Sequence, residues 1–260
     1  MDWIIEVRER NEVLFYLGLV CLVLAGVFGG LAMATETKVF GVNAWLKPLK
    51  FALSTWVYAW AMAWYVAYLP DFNATRFGWA VTLLLGFEVL YIAIQAGRGQ
   101  LSHYNLSSAF YSAMFSLMAF AATAATLYTA YVGWLFVVTP LPELPAYYVW
   151  SIRFGILIFC LFALQGFVMG SQLSHSVGAV NDNSNWFILG WSRTVGDLRV
   201  AHFVGMHALQ VLPWLSYHVL KSTKWTTVAA AVYLALAAFT LVQALQGVPF
   251  LKASKTQIRN

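Results

Sequence analysis

Long uncharged stretches limit what this chain can fold into more than any other feature. Seven runs of roughly 20 predominantly apolar residues, the length a helix needs to cross a bilayer, follow one another at about 13–35, 48–69, 76–97, 106–134, 146–172, 198–220 and 225–248. A soluble domain carries about a quarter charged residues. Here 10% are charged and 61% are hydrophobic. The expected fold is therefore an all-α polytopic membrane protein, a seven-transmembrane-helix bundle forming one membrane domain over residues 1–260.

The net charge of +5 does not read as a nucleic-acid footprint. The basic residues are scattered at loop edges, where membrane-flanking charge explains them. Cys21 and Cys160 lie inside apolar runs and read as small buried hydrophobes. The acidic start with Asp2, Glu6, Glu9 and Glu12 argues against a cleaved secretory signal. Residues 2–12, with Trp3, Ile4, Ile5 and Val7, are expected along the interface. Pro48 suits a helix N1 position, and Gly133 and Pro140 suggest that the fourth span ends near 134. The linkers are short except 173–197, read as a flap over one mouth of the bundle, with Trp186, Phe187, Ile188, Leu189 and Trp191 suited to interfacial contact. With seven spans the termini lie on opposite sides. The count of Lys and Arg in the linkers favours an outside N-terminus and a cytoplasmic C-terminus.

Ionisable residues at membrane depth are costly and mark function. The densest run is Asp197 to Gln210, DLRVAHFVGMHALQ. At ~100° per residue, Arg199, Met206, Gln210, Trp214 and Tyr217 form one stripe, flanked by His202 and His207. These groups are expected to face inward. Pro213 frees the carbonyl of Leu209, and a kink there would set an acceptor beside His207 and Gln210. His218, beside Lys221, reads as interfacial. On the third span Glu88, Tyr91, Gln95 and Arg98 share one face, with Glu88 near mid-span. QAGRGQLSHYN follows, in which two glycines free the backbone around Arg98. Ser102, His103 and Asn105 then lead into the fourth span, with Asn105 suited to an N-cap. Before the second span, Lys47, Ser54 and Tyr58 share a stripe and Lys50 lies to one side. The two lysines read as an anion clamp or as headgroup-snorkelling side chains.

From these groups a ligand-binding cavity is expected. Arg98, His103, Asp197, Arg199 and His202 would form its mouth, with His207, Gln210, Gln95 and Glu88 deeper and Lys47 and Lys50 near the entrance. The ligand is read as a small polar or anionic solute, and the function as solute or proton transport or sensing. The alternative is a b-type haem or metal protein of membrane electron transfer, with His103, His175 and His202 as ligands. A third reading is an accessory or assembly subunit whose polar groups serve as interhelical glue. His202 and His207 are five apart, about 140° around the helix, which disfavours one metal on both.

The blocks KPLKF (47–51), QAGRGQLSHYN (95–105) and GDLRVAHFVGMHALQVLP (196–213) resemble those of an uncharacterised bacterial family of small seven-span membrane proteins. That resemblance implies seven spans and a bacterial inner-membrane location. It implies no reaction. Seven-span hydrolases of the ceramidase and adiponectin-receptor type carry a histidine pair on the last helix, and microbial rhodopsins carry a retinal lysine there. Residues 225–248 contain neither.

Overall fold

The computed structural model describes residues 2–178 and 189–252. Trp186, Phe187 and Ile188 of the expected flap lie outside the described residues. The chain divides into two compact units, 1–145 and 146–260, each built almost wholly of helix.

In the first unit α1 (Asp2–Arg10) precedes α2 (Glu12–Ala34). Asn11 caps α2, its carboxamide oxygen accepting from the Leu14 N–H at 2.9 Å. The Asn11 Nδ2 donates to the Ala74 carbonyl at 2.8 Å. One side chain thus opens one helix and anchors the start of another. The hairpin β1 (Lys38–Val39) and β2 (Val42–Asn43) turns through Phe40 and Gly41, both at positive φ, the pairing a two-residue turn of type I′ requires. Then come α3 (Leu46–Val66), α4 (Ala74–Gly97) and α5 (Ala109–Val138). α2 packs against α3 and α4, and α4 against α3 and α5. Pro48 is the third residue of α3 rather than its first, still within the turn whose N–H groups have no helical partner.

α5 corrects two expectations. Its cap is Ser108, which accepts from the Tyr111 N–H, and Asn105 instead closes a turn onto the Ser107 N–H. The helix also runs through Gly133 and stops at Thr139. Pro140 is the true breaker, because it disfavours helical backbone at the residue before it.

The second unit holds α6 (Ala146–Leu164), α7 (Gly166–Ser171), the pair β3 (Ser176–Val177) and β4 (Gly196–Asp197), α8 (Leu198–Met206), α9 (Ala208–Leu215), a π turn at Ser216–Leu220, and α10 (Thr223–Leu245). α6, α8 and α10 pack on one another around Ile158, Phe162, Ala201, Ala208, Leu212, Ala230 and Ala237. β4 passes so close to α10 that a Cβ on Gly196 would run into the Ala244 carbonyl. Only glycine fits there.

Five segments are long and apolar enough to cross a membrane: Glu12–Ala34, Ala74–Gly97, Ala109–Val138, Ala146–Ser171 and Thr223–Leu245. Both other segments read as spans are helical. α3 carries Lys47 and Lys50 in its first turns. The 198–220 segment is broken at His207, six residues before the proline expected to break it.

Candidate functional site

The expected site residues divide between the two units. Lys47, Lys50, Glu88, Gln95, Arg98 and His103 belong to the first, and His175, Asp197, Arg199, His202, His207 and Gln210 to the second.

In the first unit α4 presents two unlike flanks. Gly86, Val89, Leu90 and Ala93 line an apolar cavity of about 230 Å³ together with Leu17, Val20, Cys21, Leu24 and Phe28 of α2. At ~100° per residue, Glu88, Tyr91 and Gln95 point the opposite way. Glu88 is 7% exposed, Tyr91 6% and Gln95 1%. Glu88 Oε1 and Gln95 Oε1 have no hydrogen-bond partner among the described residues, and Tyr91 Oη meets the Gln95 side chain. Tyr91 packs with Ile92 and Met118, against Phe51 of α3, Phe87 of α4 and Met114 of α5. The polar stripe therefore meets an aromatic and methionine-rich wall.

At the end of that wall lies a lysine–histidine pair. Lys47 Nζ is 3.0 Å from His103 Nδ1. An ammonium only donates, so Nδ1 accepts and His103 is the neutral Nε2–H tautomer. Ser102 Oγ approaches the same nitrogen at 3.2 Å. Burial among Phe51, Tyr104 and Phe115, and then the Lys47 charge, hold the His103 pKa well below the ordinary histidine value. The Lys47 charge also acts on Glu88, and that of Arg98 on Tyr91. Arg98 caps α4 and is exposed. Lys50 is half-buried. Tyr58 is turned inward, bonded to Thr129 at 2.6 Å, and Ser54 is exposed, so the predicted α3 stripe has only Lys47 at the site.

In the second unit Asp197 is a structural hub. Its carboxylate caps α8 by accepting from the Arg199 N–H at 3.1 Å and also accepts from the Ser192 N–H at 2.9 Å. The Arg199 guanidinium reaches it at 2.9 and 2.6 Å and also donates to the Gly190 carbonyl. Burial raises the Asp197 carboxyl, but Arg199, His175 and the Ser192 N–H outweigh it, and the group stays below the usual carboxylate range. His175 lies 3.8 Å from Asp197 Oδ1. These bonds tie the return of the 173–197 segment to the start of α8.

His202 Nδ1 lies 2.7 Å from the Phe162 carbonyl. A carbonyl only accepts, so Nδ1 carries the proton and Nε2 the lone pair. The helix break at Gln165 sits beside this bond. Gln165 is 8% exposed, and neither end of its amide has a partner among the described residues. Sequence reasoning missed it, because a lone glutamine in an apolar run carries no spacing signal. His207 stacks edge-on to Phe203 at 4.3 Å and meets the Gln210 side chain. The expected inward stripe does not form. The buried face of this segment is Leu198, Val200, Ala201, Gly205, Ala208, Leu209, Leu212 and Pro213, while Trp214 and Tyr217 are 62% and 49% exposed. Small side chains let α6 and α10 approach, and they claim the inner face first. His218 is exposed beside Trp214 and Tyr217.

His103, His175 and His202 are thus held by three separate sets of partners. Among the described residues no three His, Cys, Asp or Glu side chains gather in a group that would hold a metal ion. The alternative cofactors, a metal or haem, find no multi-ligand centre among them. No protein family, characterised protein or solved structure matches this chain.

Proposed function

We propose that this is a seven-span membrane protein whose first unit binds a small polar solute, together with a proton, at Glu88, Tyr91 and Gln95, for transport or sensing. One observation carries the reading: two deeply buried oxygens on a single helical stripe, Glu88 Oε1 and Gln95 Oε1, have no partner among the described residues. Each unsatisfied buried polar group costs about 1–3 kcal/mol. Two on one stripe of a membrane helix fit a site that is completed by what it binds. Lys47 and Arg98 would form its charged end, with the neutral His103 beside Lys47. α3, at 21 residues and about 1.5 Å per residue, has the length of a bilayer core and serves as the second span. The 198–220 segment serves as the sixth. The bacterial inner membrane, with the C-terminus cytoplasmic, is the proposed location.

The test is thermal unfolding of the purified protein against a library of small polar solutes. At least one should stabilise the wild type, and Glu88→Gln should abolish that gain. If none does, and Glu88→Gln leaves stability unchanged, the stripe is packing only and the reading falls.

A second reading rests on His202, whose Nδ1–H bond to a carbonyl leaves Nε2 bare, as second-shell bonds do in histidine-ligated metal sites. It predicts a Soret band or stoichiometric metal in the purified protein. Colourless, metal-free protein removes it.

A further inference from the structure

The apolar cavity between α2 and α4 lies on the flank of α4 away from the polar stripe, and the helix geometry explains why it is there. The two helices touch at Gly78, where a Cβ would stand 3.0 Å from Asn11 Oδ1 and 3.1 Å from the Val13 side chain. Further along, at Gly86, a Cβ would meet nothing within 4 Å. α4 thus lacks a side chain where it has parted from α2, and a space of about 230 Å³ remains. Phe28, stacked on Trp45 at 5.8 Å, closes one end of it.

The walls decide what can enter. Apart from the Cys21 thiol their side chains are hydrocarbon. A buried water needs about 2–4 polar partners, which these walls do not offer. An apolar cavity of about 150 Å³ already admits a benzene ring, so this one has room for a stretch of aliphatic chain. Left empty, its lining would forfeit dispersion contacts. Among the lining residues Val20 and Leu90 are the exposed ones, at 55% and 62%, and they mark the mouth. Both sit in interior turns of helices long and apolar enough to cross a bilayer. What borders the mouth at that depth is lipid hydrocarbon.

A cation stands at the distance of a headgroup. Arg76, Trp79, Leu83, Gly86 and Leu90 follow at spacings of three and four and so share one face of α4. Arg76 and Trp79 are exposed, and the Arg76 guanidinium has no partner among the described residues. From Arg76 to Gly86 the helix rises about 15 Å, half the depth of a ~30 Å hydrocarbon core. Trp79 between them suits the interface. Arg8 and Arg10 at this end are paired with Glu12 and Glu6, which leaves Arg76 for a phosphate. Glu9 and Asp71 are exposed here too. The end as a whole therefore carries both signs, and the guanidinium reads the phosphate common to phospholipids rather than a net negative headgroup.

We propose that α2 and α4 hold one glycerophospholipid, with an acyl chain in the slot and the phosphate on Arg76. The site goes beyond the solute stripe and does not depend on it.

The experiment is native mass spectrometry of the full-length protein, released from detergent after stepwise addition of phosphatidylglycerol, phosphatidylethanolamine or diacylglycerol with matched chains. The wild type should take up one molecule of either phospholipid saturably. Diacylglycerol, which lacks the phosphate, should bind roughly fivefold more weakly. Gly86→Leu puts a side chain into the slot and should abolish the saturable binding while Tm holds or rises, and Ala93→Leu should act alike. Arg76→Gln should bring the phospholipids down to the level of diacylglycerol. Gly26→Leu also enters open space, but on the opposite side of α2, and should leave binding as it was. Phospholipid binding that survives both slot-filling changes overturns the proposal. So does diacylglycerol bound as tightly as phospholipid. A loss in Gly26→Leu equal to that in Gly86→Leu marks a shell of bulk lipid and overturns it as well. If Gly86→Leu instead turns a dimer into a monomer, the slot receives a second copy of this chain and the proposal falls. A protein that binds a polar solute but no phospholipid overturns it while leaving the stripe in place.

Discussion

His103 is neutral because burial and the Lys47 ammonium both oppose a second proton. The consequence for stability has a definite sign. Its folded pKa lies below the unfolded value of 6.5. Between those two values the unfolded chain binds a proton that the folded protein refuses, so stability rises with pH there. The contribution is complete above pH 6.5 and is lost as pH falls through the folded pKa, at up to about 1.4 kcal/mol per pH unit. Thermal unfolding followed from pH 7.5 to 5.5 should show this decline, and His103→Gln should flatten it. A wild-type profile that is level across that window would contradict the assignment. Asp197 behaves differently. It is 1% exposed and accepts four hydrogen bonds from Ser192 and Arg199. Asp197→Ala should cost about 2–4 kcal/mol, combining a lost cap with a stranded arginine. Denaturant titration would read it. The sequence marked both residues as polar groups at a helix start. It did not separate their roles, because Asp197 meets Ser192, and its partner Arg199 meets Gly190, through a turn that spacing along a helix does not describe.

At the scale of elements, the helices were readable and their interruptions were not. Asn11, Asn73 and Ser108 cap α2, α4 and α5 with side-chain bonds, and short polar residues ahead of apolar runs announce such caps. Pro140 marked the end of α5, and Gly133 was a false signal, since a helix tolerates glycine at a cost of about 1 kcal/mol. Pro213 sits within α9, and the break comes at His207 instead. There the neighbours decide: Gly155 of α6 lies against the Ala208 backbone, and the segment bends where that contact is closest. The return strand β4 is held in the same manner. Gly196→Ala would drive a methyl group into the Ala244 carbonyl of α10. It should lower stability by at least the ~1–3 kcal/mol of an overpacked core, visible as a lower Tm and a poorer yield. An unchanged Tm would mean that the two elements can part without cost.

For the whole molecule, composition sufficed to predict an all-α membrane protein, and five segments meet the length and apolarity of a span. The other two segments read as spans from the sequence do not meet these criteria: lysines open α3, and 198–220 is divided into two short helices and a π turn. Single-cysteine labelling tests the seven-span arrangement. Cys21 and Cys160 are buried and should give little background. With an impermeant maleimide, one set of Lys38→Cys and Gln100→Cys or of Asp71→Cys, Glu143→Cys and Thr223→Cys should react on intact cells, and the other set only after the cells are opened. Reaction of Lys38→Cys and Asp71→Cys from the same face would mean that α3 does not cross. α4 carries a further implication. One of its flanks borders an apolar cavity and the other buries a carboxylate, a phenol and an amide. These two environments fix the angle at which the helix sits about its own axis. One residue inserted ahead of Gly86 would turn everything after it by ~100°, carrying Glu88 into the place of Val89 beside the apolar cavity and Phe87 into the place of Glu88. α4 therefore has no neutral intermediate for a change of length: its upstream half can gain or lose residues only in numbers that restore the same face.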